Sequence, residues 1–379
     1  MKAVGLMSGT SVDGVDAALV DIRERSGRIK VKLIAFLTRA YPAKLRKRLL
    51  FVSEPGSGSS VEIAELNVRI GKAFARAALE VCIAADVDIS SIDFIASHGQ
   101  TIAHFPAGGA TLQIGEGAVI AARTGAPVVT DFRQADLAVR GQGAPLTPMA
   151  DFHFFRHARK NRVVVNVGGI TNVTVLPRGI ESIDDITGFD TGFGNMVLDG
   201  MARIITRGKA SYDKGGRLAR KGKVREDWLD TIFAHRFFRK KPPKSTGREE
   251  FGAAYLEALQ KRLKAGSHRA RLDLIATLTA AVARTTVRAV DKFAMPIREV
   301  DEVLICGGGA RNPTLVQHFS SSVKPAGLMF TDESGVPADA REAMAFALLG
   351  YLTVKRRPGN VPAVTGARKT CILGKLVFP

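Results

Sequence analysis

Several familiar signatures are missing from this sequence, and each absence removes a class of function. No apolar run is long enough to cross a bilayer. No charged and apolar leader precedes Met1-Lys2-Ala3-Val4, which passes directly into a strand-like segment. The expectation is a cytoplasmic protein without a membrane partner. Cysteine is scarce: Cys82, Cys306 and Cys371 are odd in number, widely spaced and form no CxxC pair. That argues against a disulfide framework or a zinc ribbon and fits a reducing compartment. There is no GxxxxGK[ST] segment for a P-loop, and no GxGxxG after a first strand for a dinucleotide-binding domain. Ser8 stands outside any GxSxG elbow, which removes the α/β-hydrolase reading. His98 and His104, like His153 and His157 on a predicted helix, lack the further ligand that a zinc site needs. Asp190-Thr191-Gly192 occurs once, whereas aspartic-protease chemistry needs two such carboxylates.

Acidic residues are also in short supply. The 379-residue chain has 36 Asp and Glu against 55 Lys and Arg, a formal net charge of +19. The basic residues are dispersed. Their densest groups, Arg156 to Lys160, Arg236 to Lys244 and Lys355 to Arg357, come with no RNP, zinc-finger or helix-turn-helix pattern. The positive field is therefore read as steering for anionic small molecules, with no nucleic-acid partner expected. At this length one core is too small a plan, so two domains are expected.

What is present is organised around Gly5 to Leu19. An apolar run enters a turn of Ser8, Gly9, Thr10, Ser11, Asp13 and Gly14, and a second apolar run, from Val15, leaves it. This predicts a β-hairpin whose tip offers backbone N–H groups and hydroxyls as donors. Asp13 and Asp16 are within reach of a metal, the chemistry that a polyphosphate with Mg²⁺ requires. An ordinary hairpin turn has the same composition. Further along, a strand over Val31–Arg39, helices over 42–52 and 61–85, and short strands ending at Ser97, Ile114 and Thr130 give β-β-β-α-β-α-β. Gln134 to Asp151 is Gly/Pro-rich and reads as the inter-domain connection.

A second strand, turn, strand unit follows at Arg162 to Leu176, with Gly168-Gly169 at its turn. It echoes the first hairpin at the start of a second α/β domain. The triplet Gly307-Gly308-Gly309 follows a buried strand and precedes a helix, so backbone amides there can approach a nucleotide. Asp190, at a strand end beside a Gly-rich turn, suits a general base; capping the helix after it is the competing role. His98 reads as polar lining of a pocket. Glycine turns at strand ends plus one strand-end Asp fit a two-domain phosphotransferase with ATP between the domains.

These motifs together resemble one family. The opening stretch, Ser97-His98-Gly99-Gln100-Thr101, Gln113 to Gly115, Asp131-Phe132-Arg133, Gly141 to Leu146, Asn166 to Asn172, Gly188 to Asn195, Lys244-Ser245-Thr246-Gly247-Arg248-Glu249, Cys306 to Gly309 and Val364 to Ala367 are similar, in order, to anhydro-N-acetylmuramic acid kinase. The resemblance implies a two-domain actin-like ATPase fold, of duplicated ribonuclease H-like domains with an inter-domain ATP cleft, and a homodimer. The domains are expected at 1–133, completed by a segment near 355–379, and at 134–354. It implies ATP-dependent phosphorylation of 1,6-anhydro-N-acetylmuramic acid on O6 with hydrolytic opening of the anhydro ring, in murein recycling. The alternatives held open are a kinase of the same fold for another sugar, such as levoglucosan, and a non-catalytic nucleotide-binding protein. By the same resemblance Asp190 activates water and Glu342 is a second active-site acid. Gly9, Thr10, Ser11, Val12, Asp13, Gly14, Val15 and Asp16 hold the ATP phosphates, with Asp13 and Asp16 on the Mg²⁺ side. Gly168, Gly169, Gly307, Gly308 and Gly309 lie near the nucleotide. His98, Gln100, Arg133 and Gln142 line the sugar side, where the Arg133 fork suits the lactyl carboxylate. Two positions depart from the family: Phe193 stands where Pro is usual, and Arg140 where Gly is usual.

Overall fold

The computed structural model, which describes every residue except Thr10 and Pro55, divides the chain into two units. One is Met1–Phe154 with Asp339–Pro379, the other Phe155–Ala338. In the first, the opening apolar run is β1 (Lys2–Ser8), and the segments after it are β2 (Gly14–Arg25) and β3 (Arg28–Ala40). β4 (Phe94–Phe105), β5 (Ala110–Ile114) and β6 (Val128–Thr130) follow. β1, β2 and β3 form an antiparallel meander, while β4 and then β6 add in parallel on the other side of β1. β5 pairs with β4, and Lys375–Val377 lies antiparallel to β6.

The second unit repeats this plan. β7 (Arg162–Val167), β8 (Ile170–Leu176) and β9 (Thr187–Phe193) are the antiparallel meander. β10 (Glu302–Cys306) and β11 (Gly327–Phe330) add in parallel beside β7. Leaving aside β5 and Lys375–Val377, which only the first sheet has, both sheets share one order: third, second, first and fourth strand, then one further parallel strand (β6 or β11). That is the duplicated ribonuclease H-like plan of the actin-like ATPases.

Alternation along β1 explains its packing. Val4 and Leu6 point into an apolar cluster with Leu66, Ile70 and Phe74 of the helix Ser60–Ala84. That helix begins on Ser59, whose hydroxyl accepts from the Glu62 N–H at 3.1 Å. Gly5 faces the other way, against the helix Arg341–Val354. A Cβ on Gly5 would lie 1.9 Å from the Ala343 carbonyl oxygen, so the helix sits directly on the strand backbone. Farther out, Glu24 and Arg357 form an ion pair of the surface kind at 2.6 Å.

The unit boundaries differ from those expected. Residues 134–151, expected as the connection, are no linker: they fall largely in the helices Phe132–Ala138 and Thr147–Phe155 and the loop between them. Two buried polar contacts tie them to the C-terminal segment of the same unit. Asp136 accepts from Asn360 and Thr365, both at 2.8 Å, and Asp151 accepts from Nε and Nη2 of the Arg341 guanidinium. For the same reason Arg341–Val354 belongs with the first unit and not with the second. His157 lies beyond the helix that carries His153, so the two do not share a helical face. Among the described residues no helix is long and apolar enough to cross a membrane.

Gly5→Ala is expected to destabilise the protein by about 1–3 kcal/mol, because helix backbone must retreat from the new methyl. Gly266→Ala, where an added Cβ meets nothing within 4 Å, is the control. Thermal denaturation of both variants checks this; equal Tm values would refute the packing argument.

Candidate active site

The residues singled out by sequence gather, in each unit, at the carboxyl ends of the parallel strands, where α/β sheets bind ligands. In the first unit Met7 pairs with Asp16, and Ser8 with Gln100. The turn between β1 and β2 therefore sits beside the middle of β4, where its pairing with β1 ends. Its carbonyls are engaged by the protein itself. Gly9 O accepts from Val12 N at 3.1 Å and Gln100 Nε2 at 3.3 Å. Arg46 donates to Ser11 O and Val12 O, both at 3.1 Å. Asp13 O accepts from Tyr41 N at 2.9 Å. The Ser8 hydroxyl lies 2.7 Å from Gly14 O and 2.6 Å from Gln100 Oε1, sharing its proton between them. With its described acceptors occupied, the turn has mainly donors to offer an outside group, which suits an anion. Val12 holds φ 55, an outlier for a β-branched residue, while its side chain is buried in the apolar cluster. Thr10 lies outside the described residues.

The donor set fits a nucleotide with magnesium. Mg²⁺ keeps several waters and takes one or two carboxylates plus phosphate oxygens. Among the described residues no group of three or more His, Cys, Asp or Glu could hold a metal unaided. Asp13 is exposed and paired with Arg46 at 3.1 Å. Asp16, the more enclosed of the two, accepts from the Thr38 hydroxyl at 2.6 Å.

Gln100, expected to line the sugar side, is buried and spends its amide on Ser8 and Gly9; it pins the hairpin. His98 is buried too. Arg133 Nε lies 3.0 Å from His98 Nε2. Because Arg only donates, Nε2 accepts and the proton sits on Nδ1, 2.9 Å from Gly99 O. Burial, and then the Arg133 charge, hold His98 well below its ordinary value. It is a neutral brace for the guanidinium. Arg133 also donates to Gly143 O at 2.7 Å. Burial lowers its pKa to about 10, against the opposing charges of Glu342 and Asp136. His98, Arg133 and Glu342 thus form one group in the first unit. Gln142 is held through its N–H to Thr365 O at 2.8 Å.

The loop 140–146 is fixed by Asp136, which accepts from Gly143 N at 2.8 Å. A Cβ on Gly141 would strike that carboxylate at 2.0 Å. Arg140 adopts φ 69, which is why glycine is at home there. Its side chain is exposed, so the bulk goes to solvent.

In the second unit one register row runs from Cys306 on β10 through Asn166 on β7 and Asn172 on β8 to Asp190 on β9. Gly168, Gly169 and Gly307 to Gly309 lie just past its β7 and β10 ends. Here too the turn's carbonyls are taken. Val167 O accepts from Asn195 Nδ2, Gly168 O from Asn195 N, and Gly169 O from Gly194 N. Gly194, without a side chain, stands at the start of the helix Asn195–Thr206. Asp190 is therefore not its cap. Asp190 is buried in β9, and its Oδ2 accepts from Thr246 N at 2.8 Å. Burial raises its pKa to about 7, while the Thr246 N–H and the charge of Lys244 pull it back. That is the range of a working general base. Phe193, just beyond, packs against Phe238, Phe251 and Tyr255 at 5.5–6.3 Å between ring centroids.

A family model described as anhydro-N-acetylmuramic acid kinase matches residues 1–379. The chain belongs to the anhydro-N-acetylmuramic acid kinase family. A relative of that name from Caldanaerobacter subterraneus subsp. tengcongensis is 43% identical over 98% of this chain and 96% of its own length. One from Clostridioides difficile (strain 630) is 40% identical over 99% and 98%, and one from Bacillus cereus (strain ZK / E33L) is 39% identical over the full length of both. Family kinases of this length and the present chain therefore align from end to end. Sequence reasoning placed Ser8 among the donors of the turn but not as the hydroxyl that ties the turn to Gln100, and it missed Arg46, Asp136 and Thr246 as groups that hold these sites. Of those three, only Thr246 carried a signal, in the Lys244-Ser245-Thr246 block of the family resemblance.

Two measurements follow from these contacts. kcat should fall as pH drops through about 7, when Asp190 takes up its proton; a flat profile between pH 5 and 8, roughly the range where such a group titrates, would count against it. Arg140→Gly should raise stability by about 1 kcal/mol by relieving the left-handed backbone, read as a higher Tm; an unchanged or lower Tm would contradict this.

Proposed function

We propose that this protein is an ATP-dependent kinase that phosphorylates 1,6-anhydro-N-acetylmuramic acid on O6 while water opens the 1,6-anhydro bridge. The product is N-acetylmuramic acid 6-phosphate, formed in murein recycling. The observation that carries the reading is Asp190: a carboxylate buried at a strand end, held by one backbone N–H and poised near pH 7. It stands on a chain whose family membership spans every residue.

The reaction balances as one exchange. A lone pair of the attacking water forms the new bond to the anomeric carbon, and Asp190 takes the water proton. The C1–O6 bond breaks, and its electrons go to O6. O6 bonds to the γ-phosphorus as the bond to the β–γ bridging oxygen breaks, releasing ADP. Phosphoryl transfer needs alignment and charge neutralisation more than covalent help. The donors of the 9–14 turn supply both for the phosphates, with Gly168, Gly169 and Gly307 to Gly309 toward the rest of the nucleotide. Asp16 and Asp13 are the carboxylates that would hold a magnesium ion at the phosphates, and the ion would supply neutralisation of phosphate charge. Arg133, braced by His98, meets the lactyl carboxylate in a forked pair. The charge of Glu342 favours the ionised guanidinium. Asp190 supplies the nucleophile at carbon, the step for which an ordinary sugar kinase has no need. The reading includes a cytoplasmic homodimer, in keeping with the family.

In ¹⁸O-labelled water the product should carry label at the anomeric oxygen and none in the transferred phosphate. Asp190→Asn should lower kcat by about 10²–10⁴-fold, the usual share of a general base, with ATP affinity retained. Near-normal turnover in that variant, or unlabelled anomeric oxygen, would overturn the assignment.

A further inference from the structure

Lys244 is an anomaly in the second unit. It is 5% exposed, and its Nζ is buried with no hydrogen-bond acceptor. Three aromatic rings surround the ammonium instead: Phe237 at 4.7 Å, Phe293 at 4.9 Å and Phe189 at 5.6 Å from Nζ to the ring centroid. Ring faces are electron-rich and hold a cation where no carboxylate is in contact. A buried charge lacking a contact partner is nevertheless a poor way to stabilise a fold, and a neutral side chain of similar shape would serve packing better. The position of this charge therefore needs another account.

Its surroundings give one. Lys244 O accepts from Asp190 N at 3.1 Å, so the lysine's segment is zipped to the strand that carries the base. Two residues on, Thr246 N donates to the Asp190 carboxylate. Phe189, one wall of the cage, directly precedes Asp190 on β9. The charged groups that act on Lys244 are the carboxylate of Asp190 and the cations Lys292 and Lys240. Those that act on Asp190 are Lys244 and, opposing it, Glu249.

Resting on the reading of Asp190 as the base, we propose that Lys244 is a positioning residue for the reaction: the aromatic cage fixes a positive charge near Asp190, and that charge keeps the buried carboxylate ionised. The cage is what makes the arrangement work. A direct ion pair would occupy the oxygen that must take the water proton. A cation held by rings acts through space and leaves the carboxylate to Thr246 N–H and to water. Burial is the larger influence on Asp190 and opposes ionisation; Lys244 offsets part of it. The same burial lowers the ammonium of Lys244 to about 8, with the Asp190 charge supporting it.

The test compares the wild type with Lys244→Met, which keeps length and apolar bulk, and Lys244→Arg, which keeps the charge on the ring faces. Removing the charge disfavours the ionised carboxylate. The acid limb of kcat in Lys244→Met should therefore move up by about one pH unit, a roughly tenfold loss below the limb, with turnover recovering at higher pH. Lys244→Arg should leave the limb in place, and Lys244→Met should keep or raise Tm. The ¹³C carboxyl resonance of Asp190, assigned by its loss in Asp190→Asn, reads the same titration without substrate. A resonance midpoint that shifts together with the rate profile supports the proposal. An unmoved midpoint in Lys244→Met, or a loss of kcat equal at every pH, overturns it. A midpoint that moves while the rate profile stays put instead overturns the base reading on which the proposal rests.

Discussion

The hairpin turn between β1 and β2 depends on hydrogen-bond saturation. Each described carbonyl from Gly9 to Gly14 has a donor within the first unit, from Arg46, Tyr41, Gln100, Ser8 or the turn itself. A short loop of Gly, Ser and Asp would otherwise be a mixture of donors and acceptors, indifferent to the sign of a ligand. Satisfying the acceptors from behind makes it selective for negative charge. The deeper structure serves that end. β1 is buried on both faces, the Arg341–Val354 helix rests on its backbone at Gly5, and β4 brings Gln100 alongside. The same device recurs in the second unit, where Asn195 and Gly194 occupy the carbonyls of the Val167-Gly168-Gly169 turn. One sheet plan, used twice, yields two donor-rich turns at equivalent places.

Asp190 obeys the opposite logic. A carboxylate that is to accept a proton must not be over-stabilised as an anion. One backbone N–H holds it, and burial supplies the basicity. Arg133 in the first unit shows the complementary treatment. A neutral histidine and a carbonyl fix the guanidinium by its donors, and no carboxylate contacts it among the described residues, so its fork is oriented without being neutralised. Both groups are held by hydrogen bonds from the protein itself, the kind of preorganisation that makes charge useful in a transition state.

Much of this was readable from the chain alone, for local reasons. Apolar runs bounded by Gly and Ser give the hairpins at Gly5–Leu19 and Arg162–Leu176, and the spacing of Leu66, Ile70, Phe74 and Val81 gives the Ser60–Ala84 helix. What was not readable depends on distant residues. The segment 134–151 has the composition of a linker, yet Asp136 and Asp151 tie it to residues some two hundred positions later. Gln100 looked like a ligand-binding amide because nothing local reveals that Ser8 and Gly9 consume it. The cage of Lys244 is built from positions 189, 237 and 293, which share no pattern in sequence. Of the two positions expected to depart from the family pattern, Arg140 is tolerated because its side chain is exposed, although its positive φ favours glycine, and Phe193 has its place in an aromatic cluster. Neither alters a group proposed to act on substrate.

The account turns on coupling: cleavage of the C1–O6 bond, assisted by Asp190, must accompany phosphoryl transfer. Its most direct test is ADP release by the purified protein with 1,6-anhydro-N-acetylmuramic acid, set against the ring-opened N-acetylmuramic acid under identical conditions. The account predicts turnover with the anhydro sugar and only background hydrolysis with the opened one. Equal ADP release from both, or release from the opened sugar alone, would contradict it.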